Sequence, residues 1–162
     1  MAALATIGVY GFDAESFLAA LRAADVRLLL DVRQRRGVRG SQYAWANSQR
    51  LQALLADAGI AYRHEPTLAP TTELRQLQYR EDDRLGVGKR SRTLLADAYR
   101  ERYTHEILDR ADLDAIGAEL APAGTTVLLC VERDPAACHR SIAAERIAGR
   151  FGLALTHLLP AA

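Results

Sequence analysis

The sequence predicts an α/β fold with a mainly parallel central sheet of about five strands, helices on both faces, and a helical insertion before the fourth strand. Short apolar, β-branched segments alternate with longer amphipathic ones, which is the pattern of βαβ units. The run Leu28-Leu29-Leu30 is apolar without alternation, as expected for a strand covered on both faces. About residues 66–121 the strand pattern disappears, and the chain becomes polar and helical with proline and glycine breakers.

Apolar and β-branched composition marks the individual strands. The predicted strands are Ala5–Tyr10, Val26–Val32, Ile60–His64, Thr125–Glu132 and Leu153–His157. The first helix is predicted after Asp13, which caps a run that places Phe17 and Leu21 on one face. The second is predicted to be capped by Asn47 and to end at Gly59.

The chain of 162 residues has the length of a single α/β domain, which we expect to span 1–162. Its 49% hydrophobic and 25% charged residues are typical of a globular protein, and no apolar run is long enough to cross a bilayer. The first residues lack a signal-peptide pattern, so we expect a cytoplasmic protein with no membrane partner. Cys130 and Cys138 are then expected to be reduced thiols. The sequence carries no indication of an oligomeric state.

The segment between the fourth strand and the last helix carries Cys138, His139 and Arg140. Asp134 followed by Pro135 predicts the N-cap and first position of this helix, so the three side chains fall in or just past its first turn. In a parallel sheet this helix start lies above the carboxyl ends of the strands, where ligands bind. Its free N–H groups attract anions. The pattern therefore predicts an anion-holding site.

Polar residues at the ends of the other strands are expected at the same edge of the sheet. The candidate acids, bases and nucleophiles are Glu132, Cys138, His139 and Asp31. The candidate substrate- or anion-binding residues are Arg33, Arg140, Tyr10 and Ser141. The helical stripe of Arg140 with Ala144, Ile147 and Phe151 predicts that Arg140 faces the sheet. The alternative for Arg140 is a buried structural ion pair with Asp31 or Glu132.

Cys138 is either a thiolate activated by the helix N-terminus and nearby arginines or an inert buried thiol. His139 is either a general acid or base or a partly exposed polar residue. The loop of cysteine phosphatases is absent, because the residue six positions after Cys130 is Ala136 rather than arginine. A zinc site from Cys130, Cys138, His139 and His157 would lack a Cys-x-x-Cys spacing, so we expect no metal and no cofactor.

A second candidate surface is the basic segment that follows the second strand. No acidic residue occurs from Val32 to Ala56. Its candidate nucleic-acid contacts are Arg35, Arg36, Arg39, Tyr43 and Trp45, since arginines bind phosphates and aromatic rings stack on bases. The alternative is a solvated arginine-rich surface with Tyr43 and Trp45 packed against the insertion. The later Gly86-Val87-Gly88-Lys89-Arg90 turn adds charge but lacks the order of a Walker loop.

Several different short motifs are distributed along nearly the whole chain. They are Thr6-Ile7-Gly8, Asp31-Val32-Arg33, Gly59-Ile60-Ala61-Tyr62, Cys130-Val131-Glu132, Cys138-His139-Arg140-Ser141 and the late His157. In combination they resemble the domain-of-unknown-function family 488. The resemblance implies an α/β domain with a polar cluster of Asp-x-Arg, Cys-x-Glu and Cys-His-Arg motifs and no established activity. The chain departs from the family pattern at Gln34 to Arg39, where relatives commonly show a proline and a Ser-Arg pair. It also departs at Leu68-Ala69-Pro70, where many relatives have Leu-Gly-Gly.

These observations favour an enzyme that binds a phosphate-bearing or other anionic substrate, a nucleotide or nucleic acid, at the strand carboxyl ends. One alternative is a non-catalytic nucleic-acid-binding module, whose binding would weaken steeply with salt. The other is a protein-interaction or regulatory domain in which the polar cluster only fixes the fold.

Overall fold

A sheet of five parallel strands forms the centre of the protein, whose computed structural model describes residues 1–161. The strands are β1 (Ala2–Ile7), β2 (Val26–Asp31), β3 (Ala61–His64), β4 (Gly124–Leu129) and β5 (Leu155–Leu158). Their order across the sheet is β3-β2-β4-β1-β5. Leu29 and Leu30 of β2 are fully buried, in accord with the unbroken apolar run. The predicted parallel α/β architecture is confirmed.

β1 lies closer to the N-terminus than the sequence predicts. It spans Ala2–Ile7 rather than Ala5–Tyr10, and Ala2 pairs with Gly124 at the start of the ladder shared with β4. The first residues of β1 are only half-buried, so their local composition does not mark them as a strand. Pairing with β4 determines where this strand begins.

A close approach of two backbones ends the ladder between β1 and β4. A Cβ on Gly8 would lie 1.9 Å from the carbonyl oxygen of Glu132, so no larger residue fits without a backbone shift. The carbonyl of Val131 accepts hydrogen bonds from the N–H groups of both Val9 and Tyr10, each at 3.0 Å. β4 therefore stops short of its predicted end at Glu132.

Helices occupy the connections between the strands. They are α1 (Ala14–Ala23), α2 (Ser48–Asp57), α3 (Thr72–Leu85), α4 (Asp97–Tyr103), α5 (Leu113–Glu119) and α6 (His139–Phe151). The carboxylate of Asp13 caps α1 by accepting from the N–H of Ser16 at 2.7 Å. Asn47 holds the N-cap position of α2, but its side chain accepts instead from the N–H of Val38 at 2.7 Å. No helix of residues 1–161 is long and apolar enough to cross a membrane.

α6 begins later than the Asp134-Pro135 pair predicts. These residues open a short 3₁₀ turn, Pro135–Ala137, and the side chain of Asp134 makes no capping hydrogen bond. Cys138 then adopts an extended backbone, with φ −139° and ψ 144°, and becomes the N-cap of α6. His139 and Arg140 are the first residues of the helix.

The strand order places a topological switch point at β4. The chain moves one way across the sheet from β1 through β2 to β3, and then returns through β4 to β5. Because parallel crossovers are right-handed, α1 and α2 lie on one face and the later helices on the other. The connection after β4 therefore crosses the face of the sheet opposite to the face crossed by the connections after its neighbours β1 and β2. Ligands bind at such points in open α/β sheets.

Candidate functional site

A cavity of about 710 Å³ lies at the carboxyl ends of the strands. Tyr10 reaches it from the end of β1, Arg33 from the end of β2 and Glu132 from the end of β4, while Cys138 and His139 line it from the start of α6. The segment after β2, the helices α3 and α4, and the loop between them also contribute to its walls. Cavities of this size hold small ligands, and the position agrees with the switch point.

Cys130, Cys138 and His139 come together in this cavity. Nδ1 of His139 lies 3.8 Å from Sγ of Cys130 and 3.8 Å from Sγ of Cys138. The other ring nitrogen, Nε2, lies 2.8 Å from the carbonyl oxygen of Val32. Because a carbonyl only accepts, Nε2 carries a proton and donates to it. Nδ1 is therefore the nitrogen that faces the two sulfurs.

The two thiols differ in their tendency to ionise. Burial raises the pKa of Cys130 well above its ordinary value, and the neighbouring Cys138 raises it further. Burial also acts against ionisation of Cys138, but a hydrogen bond from Cys130 and the charge of His139 outweigh it, so the pKa of Cys138 lies well below its ordinary value. Burial lowers the pKa of His139, and the negative charge of Cys138 more than reverses this. Both shifts act in favour of a Cys138 thiolate beside a His139 imidazolium.

The same three side chains are the candidate ligands for a soft metal ion. Their donor atoms all lie within 4.8 Å of one another. A structural zinc site takes four ligands, however, and no other His, Cys, Asp or Glu of residues 1–161 joins this group. His157, the fourth candidate from the sequence, lies in β5, where its Nδ1 is 2.6 Å from Oγ1 of Thr6. The four-ligand set is not assembled.

Glu132 presents one unpartnered oxygen. Its Oε1 accepts from Nη2 of Arg92 at 2.9 Å, whereas Oε2 is buried and has no hydrogen-bond partner among residues 1–161. Arg92 also donates to Oδ2 of Asp82 at 2.6 Å and so links the end of β4 to α3. Burial and the charge of Cys138 raise the pKa of Glu132, against the opposing effects of Lys89 and Arg92. A carboxyl with a raised pKa and a free oxygen is suited to carry a proton.

The cavity walls are strongly basic. Its seven arginine and lysine lining residues are Arg33, Arg35, Arg39, Arg75, Lys89, Arg90 and Arg92, and Glu132 is its one lining carboxylate. Arg33 and Arg92 form buried ion pairs. Within residues 1–161, the other five have no carboxylate within 4.0 Å. Such a concentration of unneutralised positive charge attracts anions.

Asp31 and Arg33 form a buried, bidentate ion pair. Nε and Nη2 of Arg33 each donate to the Asp31 carboxylate at 2.8 Å, and Nη1 donates to the carbonyl of Ala46 at 2.9 Å. The hydroxyl of Tyr62 donates to Oδ2 of Asp31 at 2.6 Å. Arg33 lines the cavity but Asp31 does not. The pair fixes the end of β2 and the segment after it, since these contacts occupy both oxygens of Asp31 and all three guanidinium nitrogens of Arg33.

Arg140 and Ser141 hold the chain around Cys138 in place. Arg140 is fully buried, and its guanidinium donates to the carbonyls of Glu132 and Arg133, at 2.6 and 3.1 Å. It pairs with the carboxylate of neither Asp31 nor Glu132 and does not line the cavity. The hydroxyl of Ser141 donates to the carbonyl of Cys138 at 3.0 Å. Both residues predicted to bind an anion therefore contact the protein backbone.

The aromatic residues of the basic segment are engaged within the protein. The Tyr10 and Tyr43 rings lie 5.2 Å apart, and the guanidinium of Arg90 lies 5.1 and 5.4 Å from their centres. Trp45 packs against Phe17 of α1, with ring centres 4.8 Å apart, rather than against the insertion. Both rings of this segment are thus in contact with other side chains of the protein.

The arginine side chains of the basic segment lie in different environments. Arg35 and Arg39 line the cavity and are exposed, whereas Arg36 donates to the hydroxyl of Tyr62 at 3.3 Å. Sequence reasoning missed Arg75 and Arg92, which the insertion brings to the same cavity. No local pattern distinguishes these two from the many surface arginines of the chain.

This fold and site define a parallel α/β protein with a thiol–imidazole pair in a basic cavity at the switch point of its sheet. The chain belongs to the family described as the domain of unknown function DUF488, which matches residues 13–147. The resemblance inferred from the motifs is thereby confirmed. No curated protein and no solved structure matches the chain.

Proposed function

We propose that this protein is an enzyme that binds a phosphate-bearing or other anionic substrate in the basic cavity and attacks it with the thiolate of Cys138. The observation that carries the proposal is the position of the Cys138–His139 pair among cations that lack carboxylate partners within residues 1–161. A thiolate is the reactive form of cysteine, and unpaired cations offer charge-assisted hydrogen bonds to an anion.

The side chains divide into three roles. Arg39 and Arg90 are exposed at the cavity and would hold the anionic group of the substrate. Lys89 supports them in its charged form, since burial lowers its pKa but the charge of Glu132 outweighs this. Cys138 is the nucleophile, and His139 stabilises its thiolate and returns a proton to the leaving group. Glu132 would act as a second proton carrier through its unpartnered oxygen.

The size of the cavity restricts the class of substrate. A volume of about 710 Å³ is large enough for a nucleotide or a similar phosphate ester. A nucleic-acid strand would have to place a single nucleotide in a cavity of this volume. Both cysteines are free thiols, which fits the cytoplasmic location that we propose.

Competition between two alkylating reagents tests the proposal. Iodoacetate is anionic and iodoacetamide is neutral, so a thiolate in a basic cavity prefers iodoacetate relative to a free thiol. We expect this preference at Cys138, located by peptide mass spectrometry, and its loss in Cys138→Ser. Arg39→Gln should reduce it by a factor on the order of three. Arg22→Gln is the control, because Arg22 is exposed on α1 outside the cavity.

Protection by ligands tests the substrate class in the same assay. ADP and inorganic phosphate should slow alkylation of Cys138, and added salt should weaken this protection. The proposal is overturned if the wild-type protein shows the reagent preference of a free thiol. It is equally overturned if neither anion protects Cys138 at low salt.

A further inference from the structure

A second thiol lies beside Cys138 and has no part in the proposed attack. Sγ of Cys130 shares the Nδ1 atom of His139 with Sγ of Cys138, at 3.8 Å from each, and the three atoms lie within 4.8 Å of one another. Both thiols are free and buried, and both line the cavity. A disulfide needs the sulfurs about 2.05 Å apart, so the two sulfurs, which lie within 4.8 Å of each other, have to approach further when the bond forms.

We propose that Cys138 and Cys130 act as a dithiol that reduces an anionic disulfide of low molecular mass, with Cys138 as the attacking thiol and Cys130 as the resolving thiol. The inference rests on the proposed function, because it uses the same nucleophile and the same basic cavity. Unpaired cations select an anionic substrate, and a cavity of about 710 Å³ selects a small one. The N-cap position of Cys138 on α6 distinguishes it from Cys130, which follows β4.

In the first step the Cys138 thiolate attacks one sulfur of the substrate disulfide. The Cys138–sulfur bond forms, the substrate sulfur–sulfur bond breaks, and the leaving thiolate takes the proton from Nδ1 of His139. Cys138 is now neutral within a mixed disulfide. The negative charge of the Cys138 thiolate, which favoured the protonated form of His139, is gone. Nδ1 of His139 therefore stays unprotonated and can accept a proton.

In the second step Nδ1 of His139 accepts the proton of the Cys130 thiol, whose sulfur lies 3.8 Å away. The Cys130 thiolate attacks Sγ of Cys138, the intramolecular disulfide forms, and the mixed disulfide breaks. The second leaving thiolate takes the proton from His139. In total the substrate disulfide gains two electrons and two protons to become two thiols, and the two protein thiols become one disulfide.

The dianionic aromatic disulfide dithiobis(nitrobenzoate) is a suitable probe, because each thiolate that it releases is coloured. The chain has 2 cysteines, so the stoichiometry reports on this pair alone. The reduced wild-type protein should release about two equivalents and carry no adduct. Its mass should fall by two hydrogens, and a peptide containing both cysteines should show the internal disulfide. Cys130→Ser should release about one equivalent and keep the adduct on Cys138.

The possible outcomes separate the inference from the proposed function. A wild-type protein that keeps a stable adduct on Cys138, or carries adducts on both cysteines, contradicts the dithiol and leaves the Cys138 nucleophile standing. If Cys138→Ser reacts as fast as the wild type, both proposals fail. Should Cys130→Ser lose the fold by circular dichroism, Cys130→Ala replaces it, and the wild-type mass decides independently.

The preference for an anion is tested with the neutral hydroxyethyl disulfide. The rate of reaction of the protein with each disulfide is divided by the rate of reaction of dithiothreitol with the same disulfide. Dithiothreitol is a small dithiol without neighbouring cations, so the ratio removes the intrinsic reactivity of each disulfide. We expect the normalised rate to be higher for the anionic reagent and the difference to shrink in Arg39→Gln. Equal normalised rates would overturn the assignment of an anionic substrate.

Discussion

The guanidinium of Arg140 donates from Nη1 to the backbone carbonyl of Glu132 at 2.6 Å. Nη2 extends the contact to the carbonyl of Arg133, so the first turn of α6 holds the chain that leaves β4. The same buried cation lies close enough to Cys138 to favour its thiolate. One side chain thus positions the segment that carries both Glu132 and Cys138.

Arg140→Met is expected to lower the free energy of unfolding by about 2–4 kcal/mol, because the buried carbonyl of Glu132 and the partly buried carbonyl of Arg133 lose their donors. It should also raise the pKa of Cys138 and slow its alkylation at neutral pH. Arg140→Lys keeps the charge but cannot span both carbonyls, so it should lower stability while retaining more of the alkylation rate. Urea unfolding and iodoacetamide kinetics measure the two effects. Identical alkylation rates in both variants would show that the charge of Arg140 has no influence on Cys138.

The pH dependence of alkylation should identify Cys138 as the ionised thiol. Its charged and titratable surroundings are Cys130 and Glu132 after β4, Arg92 from the α3–α4 loop, Tyr99 and Tyr103 from α4, and His139 and Arg140 from α6. A lowered pKa means that the thiolate persists as pH falls, so the rate with iodoacetamide should begin to decline at a lower pH than that of an ordinary thiol.

Two variants control this pH profile. In Cys138→Ala only Cys130 remains, and its raised pKa predicts almost no reaction at neutral pH. His139→Gln removes a positive charge beside Cys138, so the decline should shift towards alkaline pH. A wild-type rate that rises steadily up to pH 9, as for an ordinary thiol, would contradict the thiolate assignment.

The Arg92 bridge should contribute to stability through its buried carboxylates. Asp82→Asn is expected to lower the free energy of unfolding by about 1–3 kcal/mol, since it weakens a charged hydrogen bond between α3 and the loop that bears Arg92. Glu81→Gln on the same helix is the matched control. Its partner Arg84 is exposed, so urea unfolding should register little change. Equal effects of the two substitutions would show that burial of the bridge is unimportant.

Gly8 should tolerate no side chain. Gly8→Ala places a Cβ 1.9 Å from the carbonyl of Glu132, so the two strand ends must separate, at a cost of about 1–3 kcal/mol in the free energy of unfolding. Gly149→Ala is the control, because a Cβ there meets nothing within 4 Å in α6, and it should stabilise the protein by about 0.8–1 kcal/mol. Thermal or urea unfolding that ranks the two variants in the opposite order would contradict the close approach.

Local patterns were sufficient to predict the order and type of the elements. The apolar run of β2, the β-branched start of β4 and the cap at Asp13 each depend on neighbours in the sequence. The predicted boundaries of an element were wrong where pairing with a residue distant in the sequence sets them. β1 begins at Ala2 because Gly124 pairs with it, and no local signal carries that information.

The candidate site was predictable to the extent that it follows from topology. In a parallel sheet, residues after the strands and at helix starts meet at one edge, so Glu132, Cys138 and His139 were found from their positions in the chain. The orientation of Arg140 was predicted only in part. The helical stripe indicates that it faces the sheet, but not that its two terminal nitrogens donate to two backbone carbonyls.

By itself, the sequence determined the parallel α/β fold and the placement of Glu132, Cys138 and His139 at one edge of the sheet, because hydrophobic periodicity and strand–helix order act over short stretches of chain. Only the tertiary structure decided which arginines are paired and which remain available at the cavity. Arg33 is neutralised by a residue two positions away, whereas Arg92 meets Glu132 across 40 positions. Electrostatic pairing depends on distances in space, and the fold sets those distances between residues that the sequence keeps far apart.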